Sequence, residues 1–392
     1  MVDRVNTEGS GGRMGDGSRT SHNGSRRDFL KVTGAGIATA AVAGCLGGDD
    51  DVETITVDGE ELATEITIMA WGGSAQDAME DYYAAPFEEE TGVTVNVVGA
   101  SSGHEMVSRI QGGAEDVHII NPEEIDVYSA IEDGAIHPIR TENLSNYDKI
   151  QDELDPEEAI YDPGDEVHHI PHIFGGTGIT YNHEEVDEPD SWMDIMTDEL
   201  EGSLIHFDYP NYVVGQAALA LGMDMNEAVQ DEAMMEDVWE FVEERNEYVV
   251  EWSNSGSSTM EAFTSESALA GSLWIGRQTA IARDDVPVSY TVPEEGAYFW
   301  VNVLNVPSYV EDPYRITAEK FIDYLISEEP TAEYVQDQVY APSIEYTETE
   351  PPQIIEENSD VQNLDLLTQM DPALYQEHVD DWQERFQEIV RG

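Results

Sequence analysis

The residues that could do chemistry in this chain are few, and the commonest of them say least. With 84 Asp and Glu among 392 residues, carboxylates fall at every spacing by coincidence, so no acid–base pair can be read from their positions. The sequence holds no His-Glu-x-x-His and no phosphate-cradling Gly-rich loop, which leaves an enzyme without its usual metal or nucleotide signature. His168, His169 and His172 invite a metal reading. In a strand, however, His168 and His172 share one face and His169 points away, with no further ligand fixed by spacing, so we expect solvent-facing or hinge histidines and no metal. The single cysteine, Cys45, excludes an internal disulfide.

Sixteen Lys and Arg stand against those acids, giving a formal net charge of −68, yet 40% of the chain is hydrophobic. Apolar and aromatic runs interrupt the acids throughout, so a packed core is expected and disorder is not. Such a surface suits molar salt, where the screening length falls to about 3 Å and carboxylate self-repulsion ceases to destabilise the fold. The same screening prevents net charge from indicating the ligand. Basic residues after Cys45 number 10 and are scattered singly, so no stripe can neutralise phosphates and nucleic acid is excluded as a partner.

Export is written near the start. Ser25-Arg26-Arg27-Asp28-Phe29-Leu30-Lys31 precedes a mild apolar run, Val32 to Ala43, which resembles a twin-arginine signal and is too short and weakly apolar to span a membrane. Ala43-Gly44-Cys45 resembles a lipobox, and the polar run Gly47-Gly48-Asp49-Asp50-Asp51 follows as a spacer. We therefore expect residues 1–45 to be a signal, Cys45 to carry lipid, and the mature protein to be anchored to the outer face of the cell membrane.

Stepping along the mature chain, residues 46–64 read as a linker. Glu65 to Trp71 is a buried strand, Gln76 to Glu90 a helix, Val93 to Val98 a strand, His104 to Gln111 a helix, Val117 to Ile120 a strand and Asp126 to Gly134 a helix. This βαβαβ order predicts a mainly parallel sheet. Val167 to Asn182 is a long extended stretch. A second α/β unit follows, with helices at Asp190 to Leu200, Val213 to Leu221 and Asp231 to Glu247 and strands at Ser203 to Phe207, Leu269 to Trp274 and Val286 to Val292. Tyr298 to Val306 reads as a second long crossover before helix Ile316 to Ser327.

Several pieces recur in a telling order. They are Trp71 closing a strand, Phe87 to Val93, Ile170-Pro171-His172 through Gly178 to Asn182, Trp192 with Glu201 to Leu204, Gly271 to Trp274, Pro293 to Asn302, and Ala318 to Leu325. Over about residues 65 to 390 this set resembles the extracellular solute-binding proteins of the spermidine/putrescine-binding type. The resemblance implies an α/β, two-lobed periplasmic-binding-protein-like fold, with crossover hinge strands and a ligand cleft between lobes. Residues 65–176 with 303–340 would form lobe one, and 177–302 with 341–392 lobe two. It also implies a monomer without cofactors or catalysis, handing a small solute to an ABC permease with a cytoplasmic ATPase, the alternative being a ligand-binding receptor for a sensor.

By position the resemblance puts Trp71, Trp274 and Trp300 in the cleft, with Ser74, Tyr209, Tyr212 and Asn302 as polar contacts and Glu123 and Asp208 as its acids. Polyamine binders sandwich methylene chains between aromatic faces and grip ammonium ends with carboxylates. Here the acid expected after the last tryptophan is replaced by Asn302. Arg277, three residues after Trp274, adds a rare positive charge. That arginine either pairs with one of the many acids or binds a neutral, zwitterionic or anionic solute.

Overall fold

The computed structural model describes residues 52–391. Its chain opens with a hairpin, β1 (Thr54–Val57) and β2 (Glu60–Ala63), then enters a parallel three-stranded sheet of β3 (Glu65–Trp71), β4 (Thr94–Ala100) and β5 (Ile119–Ile120) in the order β4-β3-β5. Both faces of β3 are covered, so Ile66, Ile68, Met69 and Ala70 are buried as a nearly continuous apolar run. The helix expected between β3 and β4 runs from Ser74 to Thr91 with one wider, π-helical turn at Glu80–Ala84. Pro86 explains that turn: it lacks an N–H, and the ladder shifts so that Ala85 donates to the carbonyl of Glu80, five residues back.

The second sheet is built on one strand. β6 (Ile170–Asn182) is buried at all 13 positions and is the hub on which later strands assemble. These are β7 (Leu204–Phe207), β8 (Val249–Ser253), β9 (Ala270–Trp274), β10 (Val288–Thr291), β11 (Ala297–Leu304), β12 (Ala341–Pro342) and β13 (Leu367–Thr368). β9, β10, β11 and β12 all pair with β6 antiparallel, and β7 and β8 extend the sheet in parallel beyond β9. At its far end β11 reaches the first sheet, where Asn305 and Ile120 exchange backbone hydrogen bonds at 3.0 Å and Val303 donates to Pro122. The long strands therefore run from one α/β half to the other.

Several segments differ from the sequence reading, and residues expected as part of a linker form the hairpin of β1 and β2. The expected helix Asp190 to Leu200 is a pair of tight 3₁₀ turns, Trp192–Ile195 and Asp198–Leu200. Ser191 and Asp194 form a capping box, and the buried Trp192 indole donates to the Gly296 carbonyl at 3.0 Å, so tertiary anchoring of one large side chain outweighs helix propensity. Helices Gly256–Thr264, Ile275–Arg283 and Glu328–Gln338 and strand β8 were not expected. The three histidines are also not solvent-facing: His169 and His172 are buried, and His168 and His169 each hold Asp162 at 2.8 Å. Burial alone would raise Asp162, but those two imidazoles hold its carboxyl well below the usual range. Cys45 and the signal segment lie outside the described residues.

Candidate functional site

Strand ends position the site. Trp71 is the last residue of β3, and the chain turns at Gly72-Gly73 into the helix beginning at Ser74, so its indole stands at the carboxyl edge of the parallel sheet, where open α/β folds bind ligands. Trp274 ends β9 and caps helix Ile275–Arg283, which places Arg277 in that helix's first turns. Trp300 and Asn302 lie two residues apart on β11 and therefore share a face. Together with Ala75, Glu123, Ile173, Tyr334 and Tyr340, these side chains line one cleft.

Two glycines make room for the indoles. A Cβ on Gly175 of β6 would stand 2.8 Å from the ring of Trp300, and one on Gly256 would stand 2.8 Å from the ring of Trp274. Trp274 also stacks on Phe207, with ring centres 4.5 Å apart, and Trp300 meets Tyr340 edge-on at 5.2 Å. Tyr340 arrives there through Val339, whose left-handed backbone (φ 63°) is unusual for a β-branched residue and is held by Asn358 donating to its carbonyl at 2.7 Å.

Polar groups cross the cleft from both halves. Tyr212 donates to Glu123 at 3.1 Å and accepts from the Trp274 indole at 3.4 Å, which links the loop after β5 to the second sheet. Arg277 donates to the Ser74 hydroxyl. Burial pushes the Glu123 carboxyl well above its ordinary range, Glu124 and Asp126 push it further, and only the Tyr212 hydroxyl opposes them. Buried Glu124 is raised to about 7 despite accepting from the Val301 N–H at 2.7 Å. Among the described residues no carboxylate lies within 4.0 Å of Arg277. Arg277 Nε, Trp71 Nε1, Trp300 Nε1 and Asn302 Oδ1 are buried without a hydrogen-bond partner.

A family model described as bacterial extracellular solute-binding protein matches residues 82–361. The chain belongs to this family. Among its curated relatives is the putrescine-binding periplasmic protein of Escherichia coli (strain K12), 24% identical over 287 residues, which are 66% of this chain and 74% of that one. Among solved structures, a spermidine/putrescine ABC transporter substrate-binding protein of Streptococcus pneumoniae superposes with a TM-score of 0.70 at 21% identity, over 84% of this chain and 100% of that one. A binding protein from A. tumefaciens in complex with agropinic acid gives a TM-score of 0.69 at 16% identity, over 84% and 99%. These likenesses establish a two-lobed α/β fold, and the family places the solute-binding protein outside the cytoplasm.

Of the residues singled out in the sequence of this solute-binding protein, the fold brings Trp71, Glu123, Trp274, Arg277, Trp300 and Asn302 to one cleft, with Ser74 at its rim. Tyr212 stands behind Glu123. Tyr209 lines an adjoining larger cavity that shares Trp71 and Glu123 with the cleft and includes Asp126, Asn211, Tyr375 and Asp380. Asp208 lines neither: it directly follows β7, with its N–H on the Ser253 carbonyl. Tyr334 and Tyr340 were missed, since nothing local marks them as cleft residues. Gly99-Ala100-Ser101-Ser102-Gly103 was also passed over, although it has the Gly-x-Ser-x-Gly spacing of a nucleophile elbow between a strand and a helix. Its Ser101 hydroxyl donates to Glu105 at 2.6 Å, and among the described residues no histidine bonds it.

Proposed function

We propose that this protein is the extracytoplasmic receptor of an ABC transporter, which closes over a small organic amine in the aromatic cleft and delivers it, unchanged, to a permease with a cytoplasmic ATPase. The observation that carries the reading is the cleft itself, where Trp71, Trp274 and Trp300 surround a space bounded by Glu123. Indole faces attract organic cations, and a carboxyl group in a water-poor cleft adds an acceptor for an ammonium. The family relatives named for putrescine and spermidine support an amine, whereas the agropinic acid complex warns that the fold alone leaves the second functional group open. The lobe limits we assign are 65–176 with 303–340, and 177–302 with 341–392. Packing of helices Tyr314–Leu325 and Glu328–Gln338 against the hairpin, β3 and the first helix supports the first of these.

The route to the membrane belongs to the same reading. Twin-arginine export and a lipid on Cys45 would hold a monomer near its permease, and among the described residues no helix is long and apolar enough to cross a membrane. Cys45→Ser should release the folded protein into the medium, and its retention at the membrane would contradict anchoring. Binding is tested by titration followed through tryptophan fluorescence. Ligand should shift the emission of the wild type, and Trp300→Ala should remove most of the affinity with the fold intact.

A further inference from the structure

We infer that the cleft takes a solute with an ammonium group at one end and a carboxylate at the other, an ω-amino acid, with Glu123 holding the ammonium and Arg277 the carboxylate. This rests on the cleft being the solute site and names the chemistry of what enters it.

Hydrogen-bonding capacity decides between ligand classes. Among the described residues, three cleft-lining side chains carry buried donors without a partner, Arg277 Nε, Trp71 Nε1 and Trp300 Nε1, beside one such acceptor, Asn302 Oδ1, and the oxygens of Glu123. Buried polar groups left without partners are costly, so a good ligand supplies what is missing. A protonated polyamine carries only donors. It would serve Asn302 and Glu123, leave three N–H groups unmet, and bring positive charge against a guanidinium. A dicarboxylate fails in the opposite way, against buried Glu123. One molecule with an acceptor end and a donor end answers both sets.

Arg277 is set apart from the other cations around it. In a chain so rich in acids, Arg109, Arg140, Lys149, Arg315, Lys320 and Arg385 all pair with carboxylates. Arg245 is buried over the ring of Phe241, and Arg283 donates to backbone carbonyls. Among the described residues Arg277 bonds the Ser74 hydroxyl and no carboxylate, and a carboxylate could engage its planar fork with two hydrogen bonds. Its place near the start of helix Ile275–Arg283 adds the favourable end of the helix dipole. The two groups are also held by different partners, Arg277 by the Ser74 hydroxyl and Glu123 by the Tyr212 hydroxyl. Both line a cleft whose other walls are largely the rings of Trp71, Trp274, Trp300, Tyr334 and Tyr340, surfaces suited to methylenes.

Calorimetric titration with ω-amino acids, diamines and dicarboxylates of matched chain length tests this on the full-length protein, alongside Arg277→Ala, Arg277→Lys and Trp300→Ala. An ω-amino acid should bind at least about tenfold tighter than the diamine and the diacid of its length. Arg277→Ala should weaken it by about tenfold or more and tilt preference toward the diamine, while Arg277→Lys, which keeps charge but loses the fork, should fall between. A diamine that binds tightest and is unaffected or helped by Arg277→Ala overturns the proposal, as does failure of every ω-amino acid to bind. Failure of the cleft reading looks different: Trp300→Ala would leave the affinity of every binding probe unchanged.

Discussion

The two ends of the cleft are built from opposite materials. At one end Glu123 is bonded to Tyr212, with buried Glu124 directly after it and half-buried Asp126 in the adjoining cavity. At the other end Arg277 has one hydroxyl for a partner and tyrosines for neighbours. The acid end is partly satisfied internally, because Tyr212 already donates to Glu123 and burial raises its carboxyls above their ordinary range. The basic end is not, since a guanidinium stays charged and can be neutralised only by something that arrives. A receptor that is more nearly complete at one end than at the other will discriminate mainly at the less complete end.

The largest expected effect removes both ends together. The surface carries most of the 84 acids, and lowering salt from molar to millimolar extends their repulsion about tenfold in range. Dilution should unfold the protein, and an unchanged melting temperature would show that exposed acids do not govern its stability. Acidification separates the ends. Glu124 sits at about 7 in the fold against 4.5 for the free side chain, so folding takes up a proton between those values and stability falls as pH rises through them. Glu124→Gln should remove up to about 3 kcal/mol of that slope, read by denaturant titrations at pH 5 and pH 8. A slope that survives the substitution would place the proton uptake elsewhere, Glu123 and Asp126 being the next candidates.

Smaller effects belong to the middle of the cleft. Trp300→Ala should cost about 2 kcal/mol or more of binding, as buried aromatic anchors do, with both ends still in place. Asn302→Ala should cost about 1 kcal/mol, the worth of one hydrogen bond to the ligand. An equal loss from both substitutions would mean that the aromatic box is wall and not contact.

Much of this was legible in the sequence because periodicity and strand ends are local. The βαβαβ order gave the parallel sheet of β3, β4 and β5, and the tryptophans that close β3 and β9 were placed by the resemblance where the fold puts them. Arg277 stood out by rarity alone. What stayed hidden depends on distant partners. Tyr340 faces the cleft only because Val339 adopts a left-handed backbone under Asn358, and Asp190 to Leu200 is not a helix because Gly296 holds Trp192. Asp208 looked like a cleft acid because it follows a strand, yet the cleft lies elsewhere along that edge. That no carboxylate among the described residues pairs with Arg277 could not be read from the sequence either, since composition favoured an ion pair.

The central claim is that this cleft closes on a solute with one ammonium and one carboxylate. Mass spectrometry of the small molecule released on denaturing protein purified in molar salt reads it directly. We predict a compound carrying both groups, approaching one per chain and lost from Trp300→Ala. A polyamine without a carboxyl group, retained at the same stoichiometry and still present in Arg277→Ala, would contradict the account.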